Sequence, residues 1–213
     1  MTKVIAFSLW GSNPKYTIGA IRNVEIAQEL FPDWQCRLYH GDDVPDAIVN
    51  RLIALGSTTV CMGDGNWNGM FWRFYAADSN DTMISRDTDS RLGQREKAAI
   101  DEWLSSDKDF HIMRDHPYHA TEILGGMWGS RNGVLIGIKD MIANYDKGDY
   151  NNKYQVDQNF LREIIYPMVK DNAVVHDDFF EKQPFPRSAP PRTDSYFVGQ
   201  VYDQDDQPEF REK

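Results

Sequence analysis

Thr82-Met83-Ile84-Ser85-Arg86-Asp87-Thr88-Asp89-Ser90-Arg91 carries a short β-prone run into two aspartates one residue apart, and a helical pattern follows at once. In an extended or tightly turned backbone, residues i and i+2 point to the same side. Asp87 and Asp89 can therefore offer carboxylate oxygens to one hard divalent cation just beyond a strand end. Mn²⁺ or Mg²⁺ with one or two carboxylates, waters and a substrate phosphate is the usual arrangement. The competing reading is structural: Asp89 or Ser90 caps the next helix and Asp87 is a solvated loop acid. Arg86 and Arg91 flank the acids and Arg95 follows one helical turn later, so cations crowd a place suited to a metal and an anionic group.

Outward from this stretch the chain alternates. Val4–Trp10 is nearly continuous apolar sequence, as in a strand buried on both faces of a parallel sheet. Ile21, Val24, Ala27 and Phe31 then recur at helical spacing, followed by a strand at Cys36–Tyr39, a helix opened by Pro45, and a strand at Thr58–Met62. Such β-α-β-α-β alternation predicts an α/β domain with a mostly parallel central sheet flanked by helices. Ligands of such sheets gather beyond the carboxyl ends of the strands. The turns Trp10-Gly11-Ser12 and Gly63-Asp64-Gly65-Asn66 join Asp87–Asp89 there as binding candidates. The glycines at 63 and 65 do not extend to a dinucleotide fingerprint, and no Gly-Lys-Ser/Thr occurs, which argues against dehydrogenase and P-loop chemistry.

Trp67–Ala77 predicts a helix with Met70, Phe71 and Phe74 inward and Arg73 among them. Phe110–Met113 predicts another strand, ending in the cluster Arg114-Asp115-His116-Pro117-Tyr118-His119. This cluster could be loop polarity, a metal site, or a set of donors and acceptors for sugar hydroxyls. Gly125-Gly126-Met127-Trp128-Gly129 reads as a tight turn that lets backbone approach a ligand beside an indole face. Helices follow over Val134–Tyr145 and Val156–Met168, the second ended or bent by Pro167, and a last strand runs from Ala173 to His176.

The apolar strand, the Asp-x-Asp turn, the Arg-bearing helix before it and the Gly-rich turn after it resemble nucleotide-sugar-dependent glycosyltransferases of the GT-A type. Residues 70–129 resemble small, little-characterised members of that class. The resemblance implies one GT-A-like catalytic domain over 1–183; the change to Pro-rich composition at Pro184 predicts that residues 184–213 form an extended strap on the same domain, frayed after Asp203. It implies metal ligation by Asp87, Asp89 and His176, and a donor sugar linked to UDP or GDP. Trp10, Gly11, Arg73, Arg86, Arg95, Arg114, Asp115, His116, Gly126 and Trp128 are its substrate-binding candidates. Asp157-Gln158, opening a late helix, resembles the element facing the anomeric carbon, with Asp157 as base for inversion or as stabilising carboxylate for retention. A haloacid-dehalogenase-like phosphatase also carries Asp-x-Asp after a strand, but Thr or Val stands there two residues past the second Asp, where this chain has Arg91. A non-catalytic sugar- or nucleotide-binding module on the same scaffold is the other alternative.

Composition narrows the classes further. With 213 residues, 41% of them hydrophobic, the chain can bury one substantial core. A net charge of −10 argues against a general nucleic-acid binder. Neither a signal-like segment nor a membrane-spanning run occurs, which gives a cytoplasmic expectation. Cys36 and Cys61 lie in separate strand-like runs and read as two buried free thiols.

Overall fold

A computed structural model describes residues 2–145, 155–181 and 183–210; the strap residues 211–213 lie outside them. In chain order the elements begin with β1 (Lys3–Leu9), α1 (Pro14–Leu30), β2 (Trp34–His40), α2 (Asp46–Ala54) and β3 (Thr58–Cys61). A 3₁₀ segment (Trp67–Ala77), β4 (Thr82–Arg86), α3 (Gln94–Ser105), β5 (Phe110–Arg114) and β6 (Trp128–Ser130) follow. Next come α4 (Ile138–Asn144), α5 (Val156–Phe160), a π segment (Leu161–Ile165), α6 (Tyr166–Val169), and β7 (Ala173–Asp177). The described strands form one mixed sheet ordered β3-β2-β1-β4-β6-β5-β7. All pairings are parallel except those of β6, which runs antiparallel to both β4 and β5. The chain is therefore α/β with a mostly parallel sheet.

Side-chain alternation along the strands divides the core in two. Ile5, Phe7 and Leu9 of β1 pack with Ile84 against Ala20, Val24 and Ala27 of α1, Leu52 of α2 and Ile100 and Trp103 of α3. Val4 and Ala6 face the other way with Met83, onto Phe71 and Phe74 of the 3₁₀ segment, Ile138 and Ile142 of α4, and Phe160 of α5. Each of these Val, Leu, Ile, Met and Phe side chains contributes about 1.5–3 kcal/mol by leaving water. Burial, more than local propensity, therefore fixes the layers.

Several expectations need correction. Trp67–Ala77 is a 3₁₀ run rather than an α-helix. Trp128-Gly129-Ser130 is a buried strand rather than part of a turn. Helix α4 begins four residues after Val134, because a turn closed by the Ile138 N–H on the Leu135 carbonyl (3.1 Å) precedes it. Pro167 does not end its helix: it stands in the first turn of α6, which continues from the π segment. Cys36 is buried but Cys61 is exposed, since β3 is the edge strand.

The strap crosses the α3 side, where Phe185 and Val198 pack with Ala99, Met113 and Met127. Its described residues after Asp203 turn back onto the domain. Asp206 pairs with Arg91 (2.8 Å) and Arg22 (3.2 Å), and Glu209 pairs with Lys15 (2.5 Å).

Candidate active site

Strands β1 and β4 run in register from Lys3–Thr82 to Phe7–Arg86, so Asp87 emerges at the carboxyl edge level with Ser8. The Ser8 hydroxyl accepts the Arg73 N–H at 2.9 Å, tying the 3₁₀ segment to the end of β1. Arg73 is buried, and its guanidinium is shared three ways. Nη1 lies 2.8 Å from Asp87 Oδ1, Nη2 lies 2.9 Å from Asp157 Oδ2, and Nε donates to the Gly125 carbonyl at 3.2 Å. The Ser85 hydroxyl donates to that same carbonyl at 2.7 Å. At Gly126 a Cβ would stand 1.9 Å from Asp87 Oδ2, so only glycine lets the backbone close on this carboxylate. Asp87, Arg73, Gly126 and Asp157 thus converge from four segments on one spot.

Burial is the main reason the Asp89 carboxyl is pushed up to about 6, with the neighbouring Asp87 charge as the next cause. Burial likewise pushes Asp157 to about 6, against the pull of Arg73. Ionising all three acids crowds negative charge around one guanidinium. That imbalance, together with the oxygen-only donor pair of Asp87 and Asp89, fits a hard divalent ion that keeps waters and takes substrate phosphate as further ligands. Asp87 is 42% exposed at its side chain, which leaves it accessible to such an ion. Both oxygens of Asp157 are engaged: Oδ2 by Arg73 and Oδ1 by the Gln158 N–H at 2.9 Å. Gln158 itself is half-buried at the start of α5.

His176 does not join the two aspartates. Its ring is buried with the α3 group of side chains, where Nδ1 meets His111 Nε2 at 2.8 Å and Nε2 lies 3.7 Å from Glu102. Among the described residues no three His, Cys, Asp or Glu side chains gather as a metal cluster. The expected third ligand is therefore withdrawn.

Other candidates prove to be internal ties. Arg86 turns to the α3 side, where it pairs with buried Glu96 and donates to the Gly126 carbonyl at 2.7 Å. Arg95 grips Asp115 with two bonds (2.7 and 2.8 Å) and Asp178 with a third at 2.8 Å. Arg114 binds Asp177 at 2.8 Å and also pairs with Glu181. Arg86 thus ties β4 to α3, while Arg95, Arg114 and Asp115 hold the strap and the β5–β7 ends. His116 stacks on Phe197 of the strap at 4.4 Å. Trp128 is buried in β6, edge-on to Phe74 at 5.5 Å, and offers no face to a ligand. Trp10 and Gly11 do stand at the carboxyl end of β1, with Trp10 edge-on to Trp72 at 6.3 Å.

Sequence reasoning missed Ser8 and Ser85. Their signal was a polar residue inside an otherwise apolar strand.

No family model and no curated protein matches the chain. Solved structures do. Glucosyl-3-phosphoglycerate synthase from Mycobacterium tuberculosis, in complex with Mn²⁺, UDP-glucose and phosphoglyceric acid, superposes with a TM-score of 0.51 at 14% identity, covering 83% of this chain and 69% of that one. A second structure of that synthase gives 0.51 at 14% identity over 83% and 70%. A structure described as a mycobacterial protein gives 0.50 at 14% identity over 83% and 65%. At this identity the likeness establishes architecture: the chain has the fold of GT-A-type nucleotide-sugar glycosyltransferases.

Proposed function

We propose that the chain is a glycosyltransferase that moves a sugar from a nucleoside diphosphate, UDP or GDP, to an acceptor hydroxyl with the help of Mn²⁺ or Mg²⁺. The observation that carries this reading is the Arg73 guanidinium joining Asp87 of the Asp-x-Asp turn to Asp157 at the edge where ligands of parallel sheets collect. The likeness to structures whose descriptions include Mn²⁺, UDP-glucose and an acceptor supports it.

In the reaction the anomeric C–O bond to the diphosphate breaks and its electron pair leaves with the phosphate. The acceptor oxygen forms the new bond and gives up its proton to the departing diphosphate or to water. Asp87 and Asp89 would hold the divalent ion, which supplies charge stabilisation for the departing diphosphate. Arg73 orients Asp87 and places a fixed positive charge beside it. Asp157, with both oxygens engaged and its side chain buried, suits a positioning and stabilising role better than proton acceptance from an external hydroxyl. Gln158, half-buried beside it, supplies an amide for sugar hydroxyls. Trp10 and Gly11 border the same edge on the β1 side.

The test is thermal stabilisation by UDP and by GDP, each with and without Mn²⁺, followed by hydrolysis of the matching nucleotide sugar. Stabilisation that needs the metal, together with metal-dependent hydrolysis, supports the enzyme. Metal-dependent binding without turnover of any nucleotide sugar would instead support a binding module, and absence of both would overturn the reading.

A further inference from the structure

Helix α1 is pressed along the Asp-x-Asp turn. At Gly19 a Cβ would meet the Thr88 carbonyl oxygen at 2.1 Å, so the helix backbone touches the turn there. One turn further, the Asn23 amide donates to the Ser90 carbonyl at 2.8 Å, and its oxygen accepts the Leu92 N–H at 2.9 Å. Residues four apart share a helix face, so Lys15 lies on the face that carries Gly19 and Asn23. Its ammonium accordingly stands close enough to Asp89 for each charge to favour the other. Arg73 is already shared between Asp87 and Asp157, and Arg91 is spent on the Ser90 and Asp203 carbonyls and the Asp206 carboxylate, which leaves Lys15, among the described residues, as a cation beside this turn with no bond to Asp87 or Asp89.

Its partner is instead Glu209, at 2.5 Å. Glu209 belongs to a hairpin that is fastened to the same turn. The Tyr202 N–H donates to the Asp89 carbonyl at 2.8 Å, Val201 pairs with Ser90, and the Glu209 N–H returns to the Val201 carbonyl at 2.9 Å. The hairpin thus holds a carboxylate over Lys15 beside the residues that would carry metal and phosphate. The Lys15 and Glu209 side chains are 21% and 46% exposed, so the pair is open to competition from an incoming anion.

We propose that Lys15 is a phosphate-contacting residue of the donor site and that Glu209 holds it until the diphosphate arrives. The inference rests on the glycosyltransferase reading and deepens it: diphosphate replaces the Glu209 carboxylate as the partner of the ammonium. Lysine binds phosphate as a point charge on a flexible stem, so the exchange needs side-chain motion alone.

The experiment measures the dissociation constants of UDP, GDP and inorganic pyrophosphate in the presence of Mn²⁺ for the parent, Lys15→Gln, Glu209→Gln and the double variant, with melting curves to confirm folding. Lys15→Gln is expected to weaken pyrophosphate and nucleotide by a similar factor of roughly ten, because the phosphates are what they share. Glu209→Gln is expected to tighten both by about threefold, and the double variant to match Lys15→Gln. Unchanged binding in Lys15→Gln, or weaker binding in Glu209→Gln, overturns the inference while leaving the glycosyltransferase reading in place. A parent that binds none of the three ligands overturns both.

Discussion

Arg73 and Asp157 are separated by 84 residues in sequence, yet Nη2 and Oδ2 lie 2.9 Å apart in a buried ion pair. The 3₁₀ segment and α5 are thereby locked together at the carboxyl edge of the sheet. Breaking a buried pair from one side leaves an uncompensated charge, at a cost of about 3–5 kcal/mol. Arg73→Ala is therefore expected to lower the denaturant midpoint strongly. Arg73→Lys, which keeps the charge without the fork, is expected to retain more stability but to lose metal-dependent nucleotide binding. Equal stability of Arg73→Ala and the parent in chemical denaturation would show the pair to be unimportant.

Asp87→Asn and Asp89→Asn are each expected to abolish Mn²⁺-dependent binding of UDP or GDP. Neither should lower stability by more than about 1 kcal/mol: Asp87 is half exposed and Arg73 keeps Asp157 as its partner, while burial already disfavours the charged form of Asp89. Isothermal titration alongside thermal melting checks both halves. Binding at the parental level in either variant would remove that aspartate from the metal site.

Gly126→Ala places a methyl group where the Asp87 carboxylate now sits, with a Cβ contact of 1.9 Å. The carboxylate must move, and its Arg73 contact moves with it. Nucleotide binding in the presence of Mn²⁺ is expected to fall at least tenfold, a loss of about 1.4 kcal/mol. Unchanged affinity would show that the close approach of Gly126 has no part in orienting Asp87.

The His111–His176 pair makes the fold sensitive to acid. Burial holds both imidazoles below the ordinary histidine range, and for His111 the neighbouring His176 and Arg86 charges act in the same direction. In the fold both take up protons at lower pH than in the unfolded chain, where they do so below about pH 6.5. The unfolded state then binds more protons, so stability falls as pH drops below that value, by up to about 1.4 kcal/mol per pH unit for each ring. Asp89 and Asp157, raised to about 6, oppose this between roughly pH 4 and 6 because the folded chain takes up their protons first. The histidine contribution is isolated by comparing the parent with His111→Gln in denaturation curves from pH 5 to 7.5. The variant is expected to show the shallower loss on acidification, and parallel curves would contradict this.

Much of the layering was legible because continuous apolar runs and helical spacing report burial directly. The strands around Val4, Leu38, Ile84, Ile112 and Val175, and the helices bearing Val24 and Ile100, are such cases. Strand β6 was not, since three residues containing a glycine give no run to recognise. The 3₁₀ segment was misread because Met70, Phe71 and Phe74 fall at spacings common to both helix types. Asp87, Arg73 and Asp157 were each named from sequence, but their union is a property of topology. His176 went wrong for a related reason. A neighbouring-strand partner at the α3 face, His111, gives its ring a local role that no single-strand pattern displays.

Among the described residues the sheet is continuous only through Trp128-Gly129-Ser130, which joins β3-β2-β1-β4 on one side to β5-β7 on the other. A span of three residues offers few ladder bonds to each flank, so the sheet carries a seam. Gly125 and Gly126 lead directly into it, and their carbonyls hold Arg73 and Arg86. The guanidinium contacts to Gly125, Gly126 and Asp157 therefore tie the β4 side to the segment that enters this seam and to α5. Arg73, the hub of the candidate site, is thus also a fastening of the sheet.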